Sequence, residues 1–231
     1  MVRLDPFNES ILEGLILKDV PGEHRPTHAS SLLVWYSKPT KDVKKVVELG
    51  SGVGTVSIAL AKLYNVEVVG IEKEEKLYIL SKENAYINGL KGKVSFVKED
   101  VKYVKKLFLA EEFDLLVSNP PHNIAGVPSS RSIRKSTRSG SYELIDDFVE
   151  ATFYLLKNGG QYVFVLSPVN FTVWIVKLKL KRLEPKRLCL VHGKRNKKAE
   201  LVLLRGRKNG KEGLVIDPPV ILKEGDEIGN R

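Results

Sequence analysis

Five apolar runs rich in β-branched residues constrain the fold more than anything else in this chain. They are residues 45–50 (KVVELG), 66–72 (VEVVGIE), 93–98 (KVSFVK), 113–118 (FDLLVS) and 160–166 (GQYVFVL). Each is continuous rather than alternating, the pattern of strands covered on both faces. Amphipathic stretches separate them. Residues 55–64 place Val56, Leu60 and Leu63 at i, i+4 and i+7, and residues 74–88 carry Leu77, Leu80 and Tyr86 opposite a charged face, with Gly89 as C-cap. Residues 142–156 form a third helical pattern, closed by Asn158-Gly159-Gly160. Repeated β–α–β order implies right-handed crossovers and a doubly wound, mostly parallel α/β sheet. A helix at 170–180 and strands at 186–191 and 199–206 extend the pattern. Residues 1–44 read as a helical preface carrying Ile11, Leu12, Leu15 and Ile16, ahead of one domain over 45–231 whose tail from Leu214 is short extended segments.

Composition narrows the class. The 231 residues are long enough for a core without staples, and the one cysteine, Cys189, has no partner for an internal bridge or a thiolate metal cluster, which fits a reducing compartment. No apolar run approaches the roughly 20 residues of a membrane span, and the start has no apolar signal core, so a cytoplasmic protein is expected. The net charge is +10, and its location is uneven. Residues 173–211 hold fourteen Lys/Arg against Glu184 and Glu200, a net of +12, which leaves the rest of the chain slightly acidic. Such a stretch is either a footprint for a polyanion or the solvated surface of a thermophile, and the single glutamine, Gln161, suits a hot source.

In open α/β sheets ligands bind beyond the carboxyl ends of the strands, near the switch point. Three such loops carry unusual residues. Glu48-Leu49-Gly50-Ser51-Gly52-Val53-Gly54-Thr55 turns the first strand into its helix with G-x-G-x-G spacing. It has Thr55 where a dinucleotide fingerprint wants a third glycine, and it lacks the Lys-Ser/Thr ending of a P-loop. Glu72 ends the second strand, where a carboxylate accepts hydrogen bonds from ribose hydroxyls. Asp100, past the third strand, either takes an adenine amino group or caps the helix that begins at Val101.

The fourth strand ends in Asn119-Pro120-Pro121-His122. Two prolines remove two N–H donors and fix φ twice, leaving the carbonyls of Asn119 and Pro120 free for another partner. With the Asn119 amide oxygen, these acceptors suit a planar NH₂ group, and the flat ring of His122 suits the heterocycle bearing it. The alternative is a stiff turn before a capped helix.

The pairing of ELGSGVGT with SNPPH resembles the S-adenosylmethionine-dependent methyltransferases of Rossmann-like fold, within the amino-methyltransferase group that carries Asn-Pro-Pro-aromatic. The resemblance spans roughly residues 25–205. It implies a seven-stranded sheet with an antiparallel last strand, S-adenosylmethionine as cofactor and no metal. It implies that Gly50, Ser51, Gly52 and Gly54 wrap the methionine end of the cofactor with support from Glu48, that Glu72 holds the ribose, and that Asp100 and Val101 border the adenine. Asn119, Pro120 and Pro121 would orient the target nitrogen with His122 stacking on its ring, and Asn119 would also border the cofactor. Arg25-Pro26-Thr27 resembles a segment that covers the cofactor in some relatives, which adds Thr27.

The stretch 185–222 resembles the end of the bacterial family that methylates N6 of adenine 37 in valine tRNA. Two departures are His122, where those relatives carry Tyr or Phe, and a tail that ends early. The acid-free segment containing Arg131, Arg134, Lys135 and Arg138 then reads as a phosphate-contacting lid for an RNA substrate, expected to be tRNA, bound by a monomer. Glutamine N5 methylation of a protein, guanine-N2 methylation of RNA and adenine methylation of DNA fit the same acceptors. A silent RNA-binding subunit would be expected to have lost the Asn-Pro-Pro site.

Overall fold

The computed structural model describes residues 5–19, 28–121 and 136–223, with backbone alone at 136–142. The expected strands form one sheet. In chain order the elements are α1 (His28–Ser37), β1 (Lys45–Leu49), α2 (Thr55–Tyr64), β2 (Glu67–Glu72), α3 (Glu75–Ile87), β3 (Val94–Lys98), β4 (Phe113–Ser118), α4 (Ser136–Leu155), β5 (Leu156–Leu166), α5 (Phe171–Leu180), β6 (Leu183–Lys194), β7 (Ala199–Lys208), β8 (Val215–Ile216) and β9 (Val220–Lys223). The strand order is β3-β2-β1-β4-β5-β7-β6-β8, with β9 on β6. β1 to β5 run parallel, and β7 is antiparallel to both β5 and β6. Seven principal strands thus match the expected sheet, and the short tail segments β8 and β9 add to it beside β6.

Helices cover both faces, and two apolar clusters form, one on each side of the sheet. One joins Leu32, Leu33 and Tyr36 of α1 to Ile58 and Leu60 of α2, and the other joins Phe148 of α4 to Trp174 and Leu178 of α5. The strands are buried on both faces, as their unbroken apolar runs require.

Local details differ from the sequence pattern. Ile11 and Leu12 lie in a 3₁₀ turn, Glu9–Leu12, and Leu15 and Ile16 lie outside any helix, Ile16 being exposed. Leu63 and Tyr86 face solvent instead of the core. In α3 the inward face is made by Leu77, Ser81, Asn84 and Ala85, because Asn84 is pulled inward by hydrogen bonds from its Nδ2 to the carbonyls of Val53 and Lys18. β5 begins at Leu156, directly after α4, ahead of the glycines expected to precede it.

Candidate active site

The sheet reverses direction of growth between β1 and β4, and the loops after these two strands meet at that reversal. Glu72, Gly50–Ser51 and Asn119 are therefore placed side by side on one edge by topology alone.

The loop after β1 is pinned to the end of β2: the N–H groups of Gly50 and Ser51 both donate to the Ile71 carbonyl, at 2.9 and 3.0 Å. Gly50 and Gly52 have φ of +70° and +55°, and a Cβ at either would point into open space, so backbone there can be approached closely by a ligand. The floor beneath is tight. A Cβ on Gly70 of β2 would lie 2.4 Å from the Phe96 ring of β3, and one on Gly54 would lie 2.6 Å from it. Phe96 therefore dictates glycine at both positions.

Three acids follow the loop. Glu48 is buried on β1, and its Oε2 accepts from both the N–H (2.9 Å) and the hydroxyl of Ser57, in the first turn of α2. A strand carboxyl thus caps a helix whose own N-cap, Gly54, has no side chain to do so. Burial pushes the Glu48 carboxyl up to about 8, against the Ser57 hydrogen bonds and with a further push from Glu72. Glu72 accepts from Gly52 N through Oε2 at 2.8 Å and from Glu74 N through Oε1 at 2.9 Å, which fixes it against the loop. Asp100 caps the 3₁₀ turn Val101–Lys106 by accepting from Lys102 N with Oδ1 at 3.1 Å. The capping alternative for Asp100 is thus present in the structure, and it occupies one oxygen.

Across the reversal, β4 ends at Ser118, whose buried hydroxyl donates to the Leu49 carbonyl at 2.7 Å and ties the two strand ends together. Asn119 follows. Its Oδ1 is buried without a hydrogen-bond partner among the described residues, and so is the Ser51 hydroxyl of the glycine loop. Such groups are costly unless something else satisfies them, by about 1–3 kcal/mol each. Beside Asn119, a shallow crevice is lined by Pro120, Pro121, Leu166, Ser167, Asn170 and Trp174.

Thr27, His122, Arg131, Arg134 and Lys135 lie outside the described residues, and Arg138 is placed only as backbone within α4. Ser57 and Phe96 have no motif of their own and Ser118 only opens SNPPH, so none stands out in the sequence, and neither do Ser167 and Asn170 at the carboxyl end of β5. For those two the signal was available, since the same edge rule that singled out the ends of β1, β2 and β4 applies to β5. Asp147 of α4 was missed as well. Burial, and then the nearby Asp100 carboxylate, raise its pKa.

An open-backed glycine loop, an acid fixed at the end of β2 and two orphaned polar groups at the switch point fit an adenosyl cofactor, and they define the Rossmann-like methyltransferase class. Residues 17–173 match the methyltransferase small domain family, and the chain belongs to it. S-adenosylmethionine is the methyl donor of this enzyme. A candidate protein N5-glutamine methyltransferase from Methanocaldococcus jannaschii is 31% identical over 161 residues, covering 64% of this chain and 74% of that relative. A tRNA1(Val) (adenine(37)-N6)-methyltransferase from Glaesserella parasuis is 26% identical over 119 residues, covering 51% of this chain and 49% of its own length. The chain thus spans only about half of that tRNA-modifying relative. Among solved structures, a predicted O-methyltransferase from Agrobacterium tumefaciens superposes with TM-score 0.67 at 17% identity, covering 85% of this chain and 89% of the other.

Proposed function

We propose that this enzyme methylates the exocyclic amino group of a nucleic-acid base, adenine N6 in tRNA first among them. The observation that carries the amine is the Oδ1 of Asn119, buried at the switch point with no hydrogen-bond partner among the described residues. An NH₂ group brought to the end of β4 would satisfy that oxygen, and the Pro-Pro sequence withholds the N–H donors that would otherwise compete for the neighbouring carbonyls.

When bound, S-adenosylmethionine supplies a methyl group already activated on a sulfonium. The chain's own task is alignment, worth about 7–11 kcal/mol in favourable systems. Gly50, Ser51, Gly52 and Gly54 would hold the methionine end and Glu72 the ribose, with Val101 and the free oxygen of Asp100 at the adenine. Asn119 and the Pro120 carbonyl hold the target nitrogen and stabilise the positive charge that develops on it. His122 would stack on the target ring, Thr27 would cover the cofactor, and Arg131, Arg134, Lys135 and Arg138 would meet phosphates. A base must leave its stack to enter, at a cost of a few kcal/mol that is least for an unpaired base, which favours an RNA loop. The reading places a monomer in a reducing, cytoplasmic setting.

Relatives that modify tRNA and a basic C-terminal stretch support RNA. The name of the Methanocaldococcus relative supports a second reading, a glutamine carboxamide on a protein, whose NH₂ suits the same acceptors. One experiment separates them: labelled cofactor is incubated with total RNA and, in parallel, with RNase-treated protein extract. N6-methyladenosine in the RNA nucleosides is expected. Label confined to protein, released as N5-methylglutamine, would replace the first reading with the second.

A further inference from the structure

The basic stretch is not one surface. Lys177 of α5 and Lys181, its C-cap, are ion-paired to Asp146 and Glu150 of α4, and Lys179 is 2.8 Å from Glu184. Arg187 grips Asp217 through two nitrogens. Lys208 is buried on Glu111 and two carbonyls, Arg205 is buried on Gln161, and Lys186 donates to the carbonyls of Lys211 and Glu212.

What remains unpaired with an acid among the described residues falls into two groups at opposite ends of β6 and β7. Arg182, Arg207 and Lys211 lie at the amino edge of the sheet. Lys194, Arg195, Lys197 and Lys198 form the exposed tip of the β6–β7 hairpin.

The register places that tip. Val202 of β7 pairs with Leu166 at the carboxyl end of β5 and with Leu190 of β6. Lys194 is four residues past Leu190, so at about 3.3 Å per residue it stands about 13 Å beyond the edge from which Asn119 and the crevice open. β7 is the immediate neighbour of β5, which is the neighbour of β4. The turn is braced, with Lys197 N donating to the Lys194 carbonyl at 3.1 Å and His192 Nδ1 2.7 Å from the Lys197 carbonyl. The acid within reach is Glu200, which lies over Gly193, and Lys223 of β9 pairs in register with Lys194. The hairpin also lies outside residues 17–173, the part of the chain that the family match covers.

We propose that the β6–β7 hairpin tip grips the phosphodiester backbone of the substrate RNA next to the target nucleotide, while the rest of the basic stretch serves the fold. This rests on the reading that the substrate is RNA. Four exposed cations with no acid partner among the described residues, on a braced turn overhanging the active-site edge, match a polyanion that must present one base there, and the other cations of the 173–211 stretch are paired with acids, held by carbonyl or amide oxygens, or at the opposite edge.

The test compares binding of bulk tRNA, across a salt series, by wild type, by the variant Lys194→Ala/Arg195→Ala/Lys197→Ala/Lys198→Ala and by the control Arg182→Ala/Arg207→Ala/Lys211→Ala. Cofactor titration and thermal unfolding report folding in each. The hairpin variant is expected to bind at least tenfold more weakly at low salt, with a salt slope shallower by about 3, since each lost phosphate contact on a single strand removes about 0.7. The control should stay within twofold of wild type. A smaller pair, Lys197→Ala/Lys198→Ala, should lose about half the slope and serves if the larger variant fails to fold. Equal losses in the hairpin variant and the control, or a loss in the control alone, would overturn the hairpin assignment and leave the RNA reading standing. No salt-dependent tRNA binding by wild type would instead remove the RNA reading itself, and the hairpin proposal with it.

Discussion

On the β1–β3 side of the sheet, Glu48, Glu72 and Asp100 each already accept backbone N–H groups, from Ser57, from Gly52 and Glu74, and from Lys102. On the β4 side, Asn119 keeps a buried oxygen with no partner among the described residues. The acids are therefore fixed against the loops around them, whereas the amide oxygen is not. A site organised this way separates two jobs. On the proposed reading, affinity for the cofactor belongs to a preformed loop, and turnover belongs to an acceptor that the substrate amine satisfies.

The largest effect should come from breaking the β4 side. Asn119→Ala should lower methyl transfer about a thousandfold, the upper range for loss of one preorganised polar contact, with cofactor affinity within twofold of wild type by calorimetry. Cofactor binding lost in step with turnover would erase the distinction between the two sides. Next is the floor of the glycine loop: Gly70→Ala forces a methyl into the Phe96 ring and should cost about 3 kcal/mol of stability in denaturant unfolding. Glu72→Gln removes the charge and one acceptor, and should weaken cofactor binding about ten- to a hundredfold while leaving turnover at saturation much closer to wild type.

The smallest effect sharpens the role of Glu48. Its folded pKa is raised to about 8 from 4.5, so between those values the unfolded chain ionises while the folded chain stays protonated. Stability from this group is full below about 4.5 and is lost as pH rises toward 8. The apo protein should therefore lose about 1 kcal/mol per pH unit between pH 6 and 7, and Glu48→Gln, which keeps an acceptor for Ser57, should flatten that slope. Chemical denaturation at the two values reads it.

The sheet and the cofactor edge were legible because both are written in short segments. Continuous β-branched runs report strands buried on both faces, and the glycine turn and the Asn-Pro-Pro corner each fit within a few residues of one strand end. What could not be read depends on partners far along the chain. That Lys177 and Lys181 are neutralised follows from the packing of α5 against α4, which no local pattern announces. The apolar Tyr86 fits helical spacing yet faces water, because Asn84 rather than Tyr86 is drawn toward the loop at Val53. Glu48 looked like a cofactor contact and is also a helix cap, a double duty visible only once α2 is folded back on β1.

Phe96 has no motif around it and makes no contact that a mechanism would name, yet its ring sets how close Gly54 and Gly70 must come and so where the glycine turn rests. A ring trimmed or enlarged at that position would shift the turn by tenths of an ångström without touching any polar group. If the turn holds the donor as proposed, its affinity can drift under selection, or be dialled by an engineer, from a hydrophobic side chain on the far strand, leaving the reacting groups untouched.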